Sequence, residues 1–120
     1  MRSKWIEHNG KKIFYQDFSG HFFNSVPARA ELSEVQEVVV REPLNSVLVL
    51  TDLRDTQVDS SLVSAMNTAS ARTKTHVRKV AVIGVGGVKR TLGDLLSRLT
   101  GQPLMYFNTE EDAKEWLARE

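Results

Sequence analysis

The chain has 120 residues, enough for one domain with a modest core. Hydrophobic residues make up 41% and charged residues 26%, the balance of a globular rather than a disordered protein, and a formal net charge of +1 gives no global reason to expect nucleic acid. The absence of Cys excludes disulfides, thiol nucleophiles and thiolate metal sites.

In chain order, Trp5-Ile6-Glu7-His8 and Ile13-Phe14-Tyr15-Gln16 flank Asn9-Gly10. Both turn residues tolerate positive φ, so the pattern predicts an antiparallel hairpin. The stretch Phe18 to Ser25 reads as an irregular, aromatic-rich loop. Pro27 can open a helix, with Ser25 or Val26 as the flanking cap. Ala28, Leu32, Val35 and Val39 follow helical spacing, and Pro43 stops the helix. Ser46 to Leu50 is an apolar run without alternation, as expected of a central strand covered on both faces. A helix is predicted from Ser60 to His76, with Leu62, Met66, Ala69 and Thr73 on one face. Val80 to Gly84 reads as another buried strand, and Val88, Leu92, Leu95, Leu96 and Leu99 as an amphipathic helix ended by Gly101. Leu104 to Phe107 is a short last strand, and Thr109 caps a final helix with acids in its first turn.

The predicted order is ββαβαβαβα: an α/β fold with a mixed sheet of about five strands, helices packed on it, and one domain over residues 1–120. The N-terminal stretch MRSKWIEHNGKK has no apolar signal region, and no apolar run approaches the roughly 20 residues of a transmembrane helix, so a cytoplasmic protein is expected. Charge is uneven. Seven basic residues face Asp94 alone across residues 71–100, while residues 101–120 are acidic. This pattern fits solvated helix faces or a local basic face.

Three segments carry a family resemblance: Asn45 to Leu53, which ends its strand in Thr51-Asp52; Lys79 to Gly87, with a glycine turn after the strand; and Tyr106 to Leu117, a strand followed by an acidic helix with Trp116-Leu117. In order and spacing the chain resembles the SpoIIAA-like domains of the STAS/SEC14 superfamily, over nearly its whole length. The resemblance implies that fold and two kinds of role. Anti-sigma-factor antagonists of this group are switched by phosphorylation of a Ser at the start of the helix after the central strand. Other members are linked to lipid or apolar-ligand binding and to membrane association.

Asp59-Ser60-Ser61 stands where that switch would be. A phosphate on Ser60 or Ser61 would meet free N–H groups and a favourable dipole. However, Leu62-Val63 follow where the antagonists carry Gly, so a helix cap by Asp59 or Ser60 is the plainer reading. Gly84, Gly86 and Gly87 lack the P-loop ending and suit either close helix-to-strand packing or an anion site. Asp52 and Arg54 belong to the same strand-end edge, where Arg54 is expected to pair with Asp52 or Asp55. His8, His21 and His76 form no ligand pattern, so no metal site is expected. Phe18, Phe22 and Phe23 would either cover the core or form a flap over an apolar pocket, with Met66, Val88 and Leu92 as further lining.

These residues together suggest a non-enzymatic regulatory or binding domain without a cofactor. Its expected ligand is lipid or another apolar small molecule, and peripheral membrane contact is compatible with it. The alternative is a module for a regulatory protein partner, switched at Ser60 or Ser61. No nucleic acid is expected, and the oligomeric state is open.

Overall fold

A computed structural model describes residues 1–21, 24–85 and 104–119. Strands β1 (Lys4–His8) and β2 (Lys11–Asp17) form the antiparallel hairpin, with His8 opposite Lys11. Asn9 at φ 51° and Gly10 at φ 78° are both left-handed, as a two-residue turn matching the strand twist requires. Helix α1 (Val26–Val39) follows, then β3 (Val47–Asp52), α2 (Ser60–Thr73), β4 (Val77–Ile83), β5 (Leu104–Phe107) and α3 (Glu110–Ala118). The helix expected from Val88 to Leu99 lies outside the described residues. So do Phe22, Phe23, Gly86 and Gly87.

The sheet order is β1-β2-β3-β4-β5, with every pair after the hairpin parallel. All six residues of β3 are buried, which explains its unbroken apolar run. Its side chains divide the core by alternation. Val47 and Val49 join Phe14, Phe18 and the apolar stripes of α1 and α2 on one face. Leu48 and Leu50 join Ile13, Ala81, Ile83 and the Ala113 and Leu117 stripe of α3 on the other. Right-handed crossovers in a sheet that grows in one direction put α1 and α2 on the same side.

Some boundaries differ from the sequence reading. Strand β3 runs on to Asp52, because Asp52 still pairs with Asp17 and Ile83 across the ladders. Strand β4 starts at Val77, where the polar Arg78 and Lys79 hid its beginning. Helix α2 stops at Thr73, since His76 N donates to Thr73 O and turns the chain toward β4. Thr109 caps α3 as expected: its hydroxyl accepts from Asp112 N at 3.2 Å.

Gly84 closes β4 at φ +85°, and a Cβ there would lie 2.3 Å from the backbone nitrogen of Arg54. Glycine is therefore required for two strand-end loops to touch. Gly84→Ala should lower the urea midpoint by an amount equivalent to at least about 2 kcal/mol with an unchanged slope. A midpoint within error of the parent would show that the two loops separate freely.

Candidate functional site

Asp52 ends the apolar central strand and is only 1% exposed. A carboxylate placed there needs partners, because burial disfavours its charge. Arg54 supplies most of them. Its Nε donates to Asp52 Oδ1 at 3.0 Å, its Nη2 to Oδ2 at 2.8 Å, and its backbone N–H to Oδ1 at 3.0 Å. The side-chain pair is the bidentate fork that a guanidinium makes best. Tyr15 Oη donates to Asp52 Oδ2 from the neighbouring strand. Arg54 also reaches Glu110 Oε1 at 3.6 Å, at the start of α3. Of the two acids expected to pair with Arg54, Asp52 is the partner; Asp55 is exposed and adopts φ 54° in the turn.

Burial works against the Asp52 carboxylate, but the hydrogen bonds from Arg54 and Tyr15 outweigh it and hold its pKa below the ordinary value. Burial first, and then the adjacent carboxylate, push the Tyr15 hydroxyl far above its ordinary value, so Tyr15 stays a proton donor at neutral pH. Sequence reading missed Tyr15 and Glu110. The parity of β2 was the available signal, since Ile13, Tyr15 and Asp17 alternate onto one face.

The aromatic loop is stitched to this edge. Phe18 N donates to Asp52 O at 3.0 Å, Gly20 N to Arg54 O at 2.9 Å, and Gln57 N to His21 O at 2.9 Å. Thr56 Oγ1 donates to Phe18 O, and His21 N donates back to Thr56 Oγ1 at 3.2 Å. Phe18 is 1% exposed and belongs to the core. Its backbone continues the ladder beyond β2, and its ring covers the core, one of the two placements expected of it. It does line a cavity of about 60 Å³ between α1, α2 and the sheet. Leu32, Val35, Met66, Ala69 and Val82 share that lining. The structure therefore brings Phe18 and Met66 together as expected of a pocket, while Val88 and Leu92 lie outside the described residues.

Asp59 is the cap of α2: it accepts from Leu62 N at 2.8 Å and from Ser25 Oγ at 2.8 Å. Ser60 and Ser61 follow in the first turn, both exposed. Ser25 flanks α1 without capping it by its side chain, and Asn24 Oδ1 accepts from Val26 N instead.

The histidines do not come together, but the fold gives His8 new neighbours. His8 Nε2 lies 2.7 Å from Glu115 Oε1, and Glu111 is close enough that one ligand atom from each of the three falls within 4.8 Å of the others. The donor set could hold a divalent cation. The His8–Glu115 contact also clips α3 to the hairpin, and no sequence spacing announces a pair 107 positions apart. Among the described residues no helix is long and apolar enough to cross a membrane.

The family model described as SpoIIAA-like matches residues 16–118. No curated protein matches the chain.

Because Asp52 titrates below its ordinary value when folded, it stabilises the protein above about pH 4 and that stabilisation is lost as pH falls through the lowered value. Asp52→Asn should be less stable by roughly 1.5–3 kcal/mol at pH 7. The gap between parent and variant should shrink in urea titrations taken below about pH 4. A gap that stays constant down to pH 2.5 would mean that the charge of Asp52 contributes nothing.

Proposed function

The chain belongs to the SpoIIAA-like family, and from that membership together with the apolar cavity we propose a non-enzymatic binding domain for an apolar ligand. The observation that carries the reading is a cavity between α1, α2 and the sheet, walled by Phe18, Leu32, Val35, Met66, Ala69 and Val82. Close-packed cores leave few voids larger than a water, so an apolar gap of about 60 Å³ invites a ligand. Its size sets the ligand. An apolar cavity of about 150 Å³ admits benzene. A smaller one admits a short or branched aliphatic end, as of an acyl chain, with the rest of the molecule outside. Gln16, Gln36, Thr51, Ser70 and Thr73 offer polar groups that orient such a guest.

A second reading rests on a separate observation. Ser60 and Ser61 stand exposed on the first turn of a helix whose cap is already in place, where a phosphate would meet free N–H groups. This favours a protein-partner module of the anti-sigma-factor-antagonist kind.

Native mass spectrometry of the protein purified from its own host, followed by organic extraction, separates the readings. A retained fatty acid or other aliphatic molecule is expected, and Ala69→Leu, which fills the cavity, should be purified empty. An empty parent that also fails to bind decanoate would overturn the ligand reading. The partner reading expects Ser60→Asp to change which proteins co-purify with the chain, and an identical set from both forms would overturn it.

A further inference from the structure

On the face of the sheet opposite the apolar cavity, the hairpin and α3 border a groove of about 310 Å³. This is the size of a small-molecule site. Ile6 and Tyr15 give it an apolar floor, and Arg2, Lys4, Asp17, Glu110 and Lys114 give it charged walls. Tyr15 commits its hydroxyl to Asp52, so its ring is what it offers the groove.

The wall charges do not cancel. Asp17 is taken by Arg2 at 3.1 Å. Glu110 is taken by Lys114 at 2.8 Å and by Arg54 at 3.6 Å, and Lys114 also lies 3.9 Å from Glu111, outside the lining. Lys4 is exposed and, among the described residues, makes no ion pair within 4.0 Å. The groove lining therefore carries three cations against two paired carboxylates. Within the lining Lys4 is the one cation without an ion pair, and it stands beside an apolar floor.

The wall formed by Arg2 and Asp17 is also fixed in advance. Glu31, buried on α1, accepts from Arg2 N at 3.2 Å and from Ser3 N at 2.7 Å. Arg2 then donates to Ser19 O at 2.9 Å and to Ser19 Oγ at 3.2 Å. Ser3 Oγ accepts from Asp17 N at 3.0 Å. A wall already held in shape has less ordering entropy to lose on binding.

We infer that this groove binds a small organic monoanion: a carboxylate on a flat apolar body, with Lys4 as its charge partner and Ile6 and Tyr15 beneath it. A multiply charged phosphate fits worse, because Asp17 and Glu110 stand beside the single surplus cation. A cationic ligand meets the surplus positive charge. Of the lining residues, Arg2, Lys4, Ile6 and Tyr15 precede the stretch that matches the family, residues 16–118, and Asp17, Glu110 and Lys114 lie within it. The groove is independent of the apolar cavity and of any ligand held there.

The test is a titration of the full chain with sodium benzoate, followed by amide ¹H–¹⁵N correlation spectra, with benzamide as the neutral isostere and inorganic phosphate as the multivalent anion. Benzoate should give saturable shifts at Lys4, Ile6, Tyr15 and Lys114. Lys4→Gln, an exposed change whose spectrum also reports its folding, should raise the benzoate Kd about threefold to fivefold, as expected for losing one solvent-exposed ion pair. Benzamide and phosphate should both bind more weakly than benzoate. Benzamide binding as tightly as benzoate, phosphate binding more tightly, shifts that do not saturate, or a Lys4→Gln Kd equal to the parent's would each overturn the inference.

Discussion

The carboxylate of Asp52 is buried at the end of an apolar strand, and the strand-end edge is organised around satisfying it. A charge in that position is tolerated only with several hydrogen bonds. Arg54 can provide three of them only if the chain folds back within two residues, which places Asp55 in the left-handed region. The same turn presses Arg54 against Gly84, so β4 must be followed by a residue without a side chain. Tyr15 completes the shell from β2. Arg54 has charge to spare and draws in Glu110, which sets the first turn of α3 beside the hairpin. A single buried acid thus links β2, β3, β4 and α3 at one edge.

Alternation along β3 then gives the two faces of the sheet different chemistry. Val47, Val49 and Leu53 point toward α1 and α2 and join the apolar core there. Leu48, Leu50 and Asp52 point the other way, and the last of these turns the far face polar at its end. The apolar cavity and the charged groove are therefore separated by one layer of backbone. Neither needs a residue of the other: Phe18 and Met66 serve the first, Tyr15 and Lys4 the second.

Features governed by neighbours in sequence were legible in the sequence. Asn9-Gly10 announced the hairpin, the unbroken apolar run announced β3, and Thr109 announced α3, because each signal acts within a few residues. The cap of α2 was narrowed to Asp59 or Ser60 for the same reason, and Asp59 is the one that accepts from Leu62 N. Arg54 was narrowed to two acids, and only the three-dimensional turn chose between them. The contacts Tyr15–Asp52 and His8–Glu115 depend on strand register and on where α3 docks; the parity of β2 gives the face of Tyr15 but not its partner. Phe18 lies between these cases. Composition left it either covering the core or forming a flap, whereas Phe14, Gln16 and Phe18 share one parity, and continuing the strand rule past Asp17 places Phe18 in the core.

That continuation also explains why the two loops at the strand ends behave as one structure. Phe18 N–H takes the carbonyl of Asp52, Gly20 N–H takes that of Arg54, and Thr56 ties back to the Phe18 carbonyl. Backbone groups that would otherwise face solvent at the end of a sheet are paired across the two segments. Asp59, a few residues on, holds Ser25 at the start of α1 while capping α2. The segment from Asp52 to Asp59 consequently fixes the position of the aromatic loop, the entry to both helices that wall the apolar cavity, and the guanidinium that reaches α3. A disturbance of Arg54 would reach the groove through Glu110 and Lys114. A disturbance of Asp59 would reach the cavity through the first turns of α1 and α2. The two sites share a support without sharing a side chain, so the chemistry of each can change while the other keeps its shape.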